Sequence, residues 1–258
     1  MITKLFRFAQ GIALALLPGG PRRCVLCGRR AWKFLPYCGG SKNQPPLMRE
    51  LHVVGSDLDR FACPHCRGHD RERHMLMFLQ SSGLLETMRG KAILHFAPER
   101  NLSHWIAAAE PSTYVRCDLE PTSPAVRRID MMAIDAEPGS FDFLIANHVL
   151  EHVADDRRAL QEVYRVLKPG GHAILQTPFA RKLHATWEDQ GIADDKARLQ
   201  AYGQADHVRL YGSDIFKRFA ASGLEPLAYL HSELLPDTDA DTHGINQDEP
   251  FFLFRKKL

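Results

Sequence analysis

The chain has 258 residues, 45% of them hydrophobic and 25% charged, enough apolar material for one large domain with a small appendage. Thirty-three Lys and Arg against 31 Asp and Glu leave a net charge of +2, so composition argues against a dedicated polyanion-binding or acidic-membrane protein. The short basic runs Arg22-Arg23, Arg29-Arg30, Arg127-Arg128 and Arg255-Lys256-Lys257 read as solvated surface.

Residues Leu5 to Leu17 are mostly apolar, start beside Lys4 and stop at Pro18-Gly19-Gly20. The run is too short to span a bilayer, and no small-x-small cleavage site precedes Cys24. Leu5, Phe8, Ile12 and Leu16 fall on one helical face, so residues 1–20 are expected to form an apolar helix packed on its own protein. A peripheral membrane contact through residues 4–17 is the second reading and a signal peptide the third.

Cys24-Val-Leu-Cys27-Gly28 and Cys63-Pro-His-Cys66-Arg-Gly68 are two matched Cys-x-x-Cys turns. Each presents two sulfurs to one ion, and together they complete a tetrahedral Zn2+ site at Cys24, Cys27, Cys63 and Cys66. The glycine after each pair is expected to supply the backbone freedom such a turn needs. The 35 residues between the pairs would form a ribbon-like insert with Trp32, Phe34 and Tyr37 as its mini-core. Redox pairs or plain buried cysteines are the alternatives; Cys38 is left over, and His65, His69 and His74 are reserve ligands. A closed four-thiolate site has no open position, which makes the zinc structural, folding a zinc-binding module (residues 21–70) too small to fold alone. Thiolate ligands rather than disulfides suit a reducing compartment, with the cytoplasm as the expected location.

Met75, Leu76 and Leu79 predict a helix over 72–85. Residues 92–97 form a short apolar run suited to a buried parallel strand, and a helix over 101–109 follows. The next strand, 114–117, ends in Asp118, and an edge strand around 128–131 contains Asp130. Residues 141–146 form the fourth strand. Asp155 caps a helix whose apolar face is Leu160, Val163, Tyr164 and Leu167, and 172–177 is the fifth strand. Residues 179–211 are polar and less periodic, as a lid or substrate loop would be. A helix over 213–222 and strands over 226–230 and 251–254 finish the chain. Alternating strands and helices imply a doubly wound α/β sheet. Ligands of such sheets bind at the carboxyl ends of the strands, which puts Asn147, His148, Glu151 and His152 at the mouth of a cleft.

Ser140-Phe141-Asp142, Val149-Leu150-Glu151-His152-Val153 and Val166-Leu167-Lys168-Pro169-Gly170-Gly171 together resemble the class I methyltransferases that use S-adenosylmethionine, in their methyltransferase type 11-like branch. The resemblance extends over residues 90–258 and is specific between 130 and 171. It implies a seven-stranded Rossmann-like sheet in the order 3-2-1-4-5-7-6 with strand seven antiparallel, within a domain of residues 71–258. Members of that family carry an acidic residue and a Gly-x-Gly-x-Gly turn after the first strand, where this chain reads Leu94-His95-Phe96-Ala97-Pro98-Glu99-Arg100. The missing glycines argue against a dinucleotide, whose pyrophosphate needs them; S-adenosylmethionine has no phosphate. Ala97 is small enough for close approach, and Glu99 is placed to accept from the methionine ammonium, unless Pro98-Glu99 merely starts the helix. Asp118 suits the two ribose hydroxyls, with a plain strand-end aspartate as the alternative. The resemblance assigns Asp130 to the adenine amino group, Met131 to the ring and Asn147 to the methionine portion.

Methyl transfer needs in-line alignment and, for a hydroxyl, a base. His148 is the first candidate and His207, within Asp206-His207-Val208-Arg209, the second; Glu151 and His152 read as structural. Phe179, Trp187 and Tyr211 are candidate walls of an acceptor pocket. The expected function is an S-adenosylmethionine-dependent methyltransferase acting on a hydroxyl or amine of a small-molecule or glycan acceptor. RNA or protein methylation, with the zinc module as a docking element, is the alternative, and the near-neutral charge weighs against it. A non-catalytic binding protein of the same fold is the third reading, kept open by the missing glycines.

Overall fold

A computed structural model describes residues 13–258. The expected packing of Leu5, Phe8 and Ile12 lies outside the described residues; Leu16, the last of that face, is 78% exposed. Among the described residues no helix is long and apolar enough to cross a membrane.

The strands among the described residues are β1 (Arg22–Arg23), β2 (Arg30–Ala31), β3 (Val53–Val54), β4 (Ala92–Phe96), β5 (Thr113–Asp118), β6 (Arg127–Arg128), β7 (Phe141–Ala146), β8 (Leu167–Ile174), β9 (Phe179–Ala180), β10 (Leu224–Pro226) and β11 (Leu253–Lys256). One seven-stranded sheet has the order β6-β5-β4-β7-β8-β11-β10. Strands β4 to β8 pair in parallel, and β11 runs antiparallel to both β8 and β10. Numbered along the chain this is 3-2-1-4-5-7-6 with the seventh strand reversed, the class I methyltransferase topology that the resemblance implied.

The central strands are apolar on both faces because both faces are covered. Alternate residues point opposite ways. Ile93, Phe143, Ile145 and Ile174 pack with Met75, Phe78, Leu102 and Ile106, from the helices Asp70–Ser81 and Arg100–Ala108. Leu94, Phe96, Leu144, Ala146 and Ala173 pack with Leu160, Val163, Ile215 and Phe219, from the helices Asp156–Val166 and Ile215–Ala220. The Asp155 carboxylate accepts from the Arg158 amide at 3.0 Å, capping its helix as expected.

Several element boundaries differ from the sequence reading: the helix expected over 72–85 is Asp70–Ser81, and the strands expected over 226–230 and 251–254 are Leu224–Pro226 and Leu253–Lys256. Strand β8 starts at Leu167 and carries Lys168-Pro169-Gly170-Gly171 as a bulge opposite Phe141 and Phe143. Asp142 pins that bulge, accepting from Lys168 Nζ at 2.7 Å and from the Ala92 amide at 2.9 Å. Strand β6 is only Arg127–Arg128, and Asp130 sits in the turn that follows, its Oδ1 accepting from the Met132 amide at 2.8 Å. The 179–211 segment is more regular than expected. Strand β9 pairs antiparallel with β3, and the helix Asp195–Tyr202 is capped by Asp194 and ends at Gly203, φ +90°. Tyr202, Ala201 and Leu210 bury themselves against Met48, which fastens this segment to the amino-terminal module.

The expected mini-core of that module is corrected. Phe34 is buried, but Trp32 is 55% exposed and Tyr37 41% exposed. The insert has no core of its own because Phe34, Leu26, Cys24 and Cys63 join the apolar layer of the large sheet.

Candidate functional site

The hairpin of β1 and β2 holds the first Cys-x-x-Cys turn, and the second leads into the helix Asp70–Ser81. Cys24, Cys27, Cys63 and Cys66 converge so that their sulfurs all lie within 4.8 Å of one another. The Cys24–Cys66 and Cys27–Cys63 separations are 3.7 and 4.0 Å, against about 3.8 Å between corners of a tetrahedron with metal–sulfur bonds of about 2.3 Å. Each turn closes with a backbone bond, Gly28 N to Cys24 O at 2.8 Å and Arg67 N to Cys63 O at 3.0 Å. Gly28 is left-handed, φ +71°, as expected; in the second turn that role falls to Arg67, φ +63°, not to Gly68. Gly68 is small for another reason: a Cβ there would stand 2.3 Å from Leu26 Cδ1. Its amide donates to Cys66 Sγ at 3.4 Å. Bonds from Cys27, Cys63 and Cys66, with burial, push the Cys24 thiol up, while the same sulfur contacts pull Cys27 down. Four thiols so close share protons unless a cation lets all ionise, so the donor set fits a thiophilic ion. Cys38 is exposed and apart from the cluster. Of the reserve ligands, His65 faces the Arg30 carbonyl at 2.9 Å, His69 caps its helix, and His74 points into the main domain.

Phe96 pairs with Cys117 on one side and Ala146 on the other. The next residues, Ala97, Asp118 and Asn147, therefore form a row across the carboxyl ends of β4, β5 and β7. With strands about 4.8 Å apart this row is about 10 Å long. Ala97 adopts φ +45°, the left-handed backbone that glycine would give more freely, and its amide donates to the Cys117 carbonyl at 2.8 Å. Asp118 Oδ1 accepts from the Glu120 amide at 2.9 Å. Glu99 immediately precedes the helix Arg100–Ala108. It contacts His95 Nε2 at 3.2 Å and accepts from Asn147 Nδ2 at 2.5 Å. His95 in turn meets the Tyr114 hydroxyl at 2.9 Å. Burial pushes the Glu99 carboxyl up, but the His95 bond and charge outweigh it and hold it below the usual range. The Asn147 Oδ1 atom is buried without a hydrogen-bond partner. That orphan acceptor, beside the anionic Glu99, fits the ammonium group of an amino-acid ligand. Met131 is only 3% exposed and packs among Ile129 and Ile134, so it lies behind the row rather than in it.

His148 follows Asn147 in the left-handed region, φ +56°, its amide bonded to the Gln176 carbonyl at 2.8 Å. Its ring lies between two carboxylates, Glu151 at 3.3 Å and Glu249 at 3.5 Å. Glu249 also approaches His74 at 3.4 Å, and His74 Nε2 meets His231 Nδ1 at 2.9 Å. Burial and Arg71 press the His148 pKa down, yet the bonds to Glu151 and Glu249 prevail and raise it. Burial pushes Glu151 up, but His148 brings it down to about 2. Burial lowers His231 to about 4, with help from His74. Gly55, beside β3, covers the ring: a Cβ there would stand 3.0 Å from Pro178 Cβ and 3.8 Å from His148 Cε1. The second candidate base, His207, is 4% exposed, and its Nδ1 faces the Tyr202 carbonyl at 3.1 Å.

Tyr211 is not a pocket wall. It is fully buried and donates to Asp156 at 2.8 Å, in a network where Arg218 binds the same carboxylate at 2.6 and 2.7 Å. Glu249, His231 and Arg71 were not singled out from sequence. Glu249 sits in a loop before β11, about 100 residues from His148, and no local pattern marks such a pairing.

Residues 90–175 match the family model described as a methyltransferase domain. Within 86 residues, 33% of this chain and 22% of the relative, the sequence is 30% identical to an arsenite methyltransferase of Aquipseudomonas alcaligenes. Over 49 residues, 19% of this chain and 14% of the relative, it is 43% identical to an uncharacterized 37.1 kDa protein in transposon TN4556 of Streptomyces fradiae. The matched segments thus span less than a quarter of either relative. A solved S-adenosylmethionine-dependent methyltransferase from Mesorhizobium loti superposes with a TM-score of 0.43 at 17% identity, covering 68% of this chain and 94% of that one. The matched residues run from the start of β4 to the end of β8, within a sheet whose strand order is that of the class I methyltransferase fold.

Proposed function

We propose that the protein is an S-adenosylmethionine-dependent methyltransferase acting on a hydroxyl or amine of a small-molecule or glycan acceptor. The observation that carries this reading is the row Ala97–Asp118–Asn147 at the carboxyl ends of adjacent strands, with His148 as its next residue. Asp118 would hold the ribose, Asp130 the adenine edge, and Asn147 with Glu99 the ammonium. Bound there, S-adenosylmethionine supplies an electrophilic methyl group. The chain's part is to align the acceptor and take up the proton its O–H or N–H gives up. His148 would do the second after passing a ring proton to Glu151 or Glu249, the two carboxylates that face its nitrogens. The closed surroundings of His148, 8% exposed under Gly55, support a small acceptor or a chain end over a folded macromolecule. Zn2+ at the four cysteines is structural, and the cytoplasm would keep those thiols reduced.

Calorimetric titration with S-adenosylmethionine is the first test, and tritiated methyl transfer into fractionated extract the second. Micromolar binding with label in small molecules or glycans is expected. No binding at millimolar cofactor would leave a non-catalytic fold, and label confined to RNA or protein would shift the acceptor class.

A further inference from the structure

Glu151, His152 and His207 each bring a ligand atom to one place, all within 4.8 Å of one another. Glu151 is 1% and His207 4% exposed, and Glu151 Oε2 and His207 Nε2 are both buried without any hydrogen-bond partner. Two bare acceptors turned toward a common point in a dry interior are costly unless something positive stands between them. The outer atom of every ligand is already held. His207 Nδ1 donates to the Tyr202 carbonyl at 3.1 Å, which leaves the Nε2 lone pair inward. His152 Nδ1 lies 3.3 Å from both the carbonyl and the carboxylate of Asp206, which leaves its Nε2 as the free nitrogen. Glu151 Oε1 faces His148 Nδ1 at 3.3 Å, which leaves Oε2. Outer partners of this kind fix the tautomer and orientation of metal-binding histidines.

The two chain segments are also locked together. The Val208 amide donates to the Glu151 carbonyl at 2.9 Å, and Arg209 donates to the carbonyls of Leu150, Val153 and Ala154 at 2.8, 2.5 and 2.9 Å. The ligands are therefore presented by a braced loop pair rather than by mobile side chains. Ligands of one ion at about 2.0–2.2 Å stand about 3.3 Å apart in a tetrahedron, so capture would draw the three inward by at most about 1 Å.

We propose that Glu151, His152 and His207 form a second metal site, distinct from the cysteine cluster, that takes a divalent transition-metal ion. Two imidazoles and one carboxylate favour Zn2+, Mn2+, Fe2+ or Co2+ over Mg2+ and Ca2+, which prefer all-oxygen cages. Three protein ligands leave coordination positions open to water or an exogenous donor. The metal site does not depend on the methyltransferase reading.

Co2+ loading tests the site without any assay of activity. Wild-type protein loaded with Co2+ and freed of excess should carry two ions by mass spectrometry: one in a thiolate site with intense visible bands, one in a weakly absorbing nitrogen–oxygen site. Glu151→Gln and His207→Gln should each keep the thiolate bands and lose the second ion. Because either change touches a buried group, His152→Asn at the partly exposed ligand provides a third variant, in which Co2+ affinity should fall at least a hundredfold with the thermal midpoint unchanged. A single ion in wild type under millimolar Co2+, or two ions retained in all three variants, overturns the proposal. Titrating S-adenosylmethionine on the same preparations keeps the two ideas apart, since loss of cofactor binding leaves the metal count standing.

Discussion

Replacing Arg73 by Met should be the most damaging single change outside the sulfur ligands. The guanidinium is fully buried, stacks on the Phe34 ring at 4.0 Å, and donates to carbonyls of Arg60, Phe61, Gly68, His243 and Gly244. It thereby ties the second cysteine turn, the insert and the carboxyl-terminal turn to one helix. A bond from a charged donor contributes about 1.5–3 kcal/mol, and a buried carbonyl left bare costs a comparable amount. Counting only the two fully buried bonds, to Gly68 and Gly244, the loss is about 3–6 kcal/mol, a large share of a typical stability of about 5–15 kcal/mol. At about 2–4 °C per kcal/mol, the melting midpoint should fall by about 6–24 °C. Arg73→Lys keeps the charge but not the five-donor fork, and should land between wild type and Met. Urea titration and thermal melting of the metal-loaded protein measure both. If Arg73→Met stays within about 1 kcal/mol of wild type, the guanidinium is not the joint between module and sheet.

If the cysteine cluster holds Zn2+ as proposed, Cys63→Ser should abolish zinc loading and lower the melting midpoint, and a chelator should do the same in wild type. Gly68→Ala should cost about 1–3 kcal/mol by overpacking against Leu26 and Asn101, read by the same melts. Asp118→Ala should weaken S-adenosylmethionine about ten- to a hundredfold in calorimetry, from the loss of charge-assisted bonds. For pH, His231 titrates at about 4 when folded against 6.5 when unfolded. Between those values the unfolded state binds the extra proton, so the stability due to neutral His231 is complete above pH 6.5 and disappears as pH falls toward 4. His231→Gln should therefore flatten the acid side of the stability profile relative to wild type, and an unchanged slope would contradict the assignment.

The parts legible in sequence are those written in local periodicity or in a tight motif. Phe141–Ala146 announced itself as a strand buried on both faces, and the two Cys-x-x-Cys turns announced their convergence, because two thiolates per turn need no distant partner to be recognised. The module's interior was misread for the opposite reason. Trp32 and Tyr37 are as aromatic as Phe34, but only Phe34 lies under Arg73, and that contact depends on a helix nearly 40 residues away. The histidines after β7 were visible as polar residues at a strand end. Their pairings were not: Glu249 was not singled out, and His207 was named only as a second candidate base, because both arrive from remote loops whose approach is set by the fold alone.

The helix Asp70–Ser81 shows why the cysteine cluster and the candidate active site are mechanically one unit. It begins four residues after Cys66, and its residues 72–79 are all buried. Successive residues turn by about 100°, so Arg71, Glu72, Arg73 and His74 sweep the whole circumference within one turn. Each meets a different neighbour. Arg71 acts electrostatically on Glu99 and His148. Glu72 accepts from the Asn101 and Leu102 amides at 3.0 and 3.2 Å, opening the helix behind Ala97. Arg73 grips the module's carbonyls, and His74 reaches Glu249 behind His148. Met75, Leu76, Phe78 and Leu79 seat the second half of the helix on the sheet, while its polar first turn continues directly from the cysteine cluster. Loss of an ion held there should therefore be felt at Glu99 and His148 as well as in the module, and cofactor affinity should fall together with metal content even though none of the four clustered cysteines belongs to the row Ala97–Asp118–Asn147.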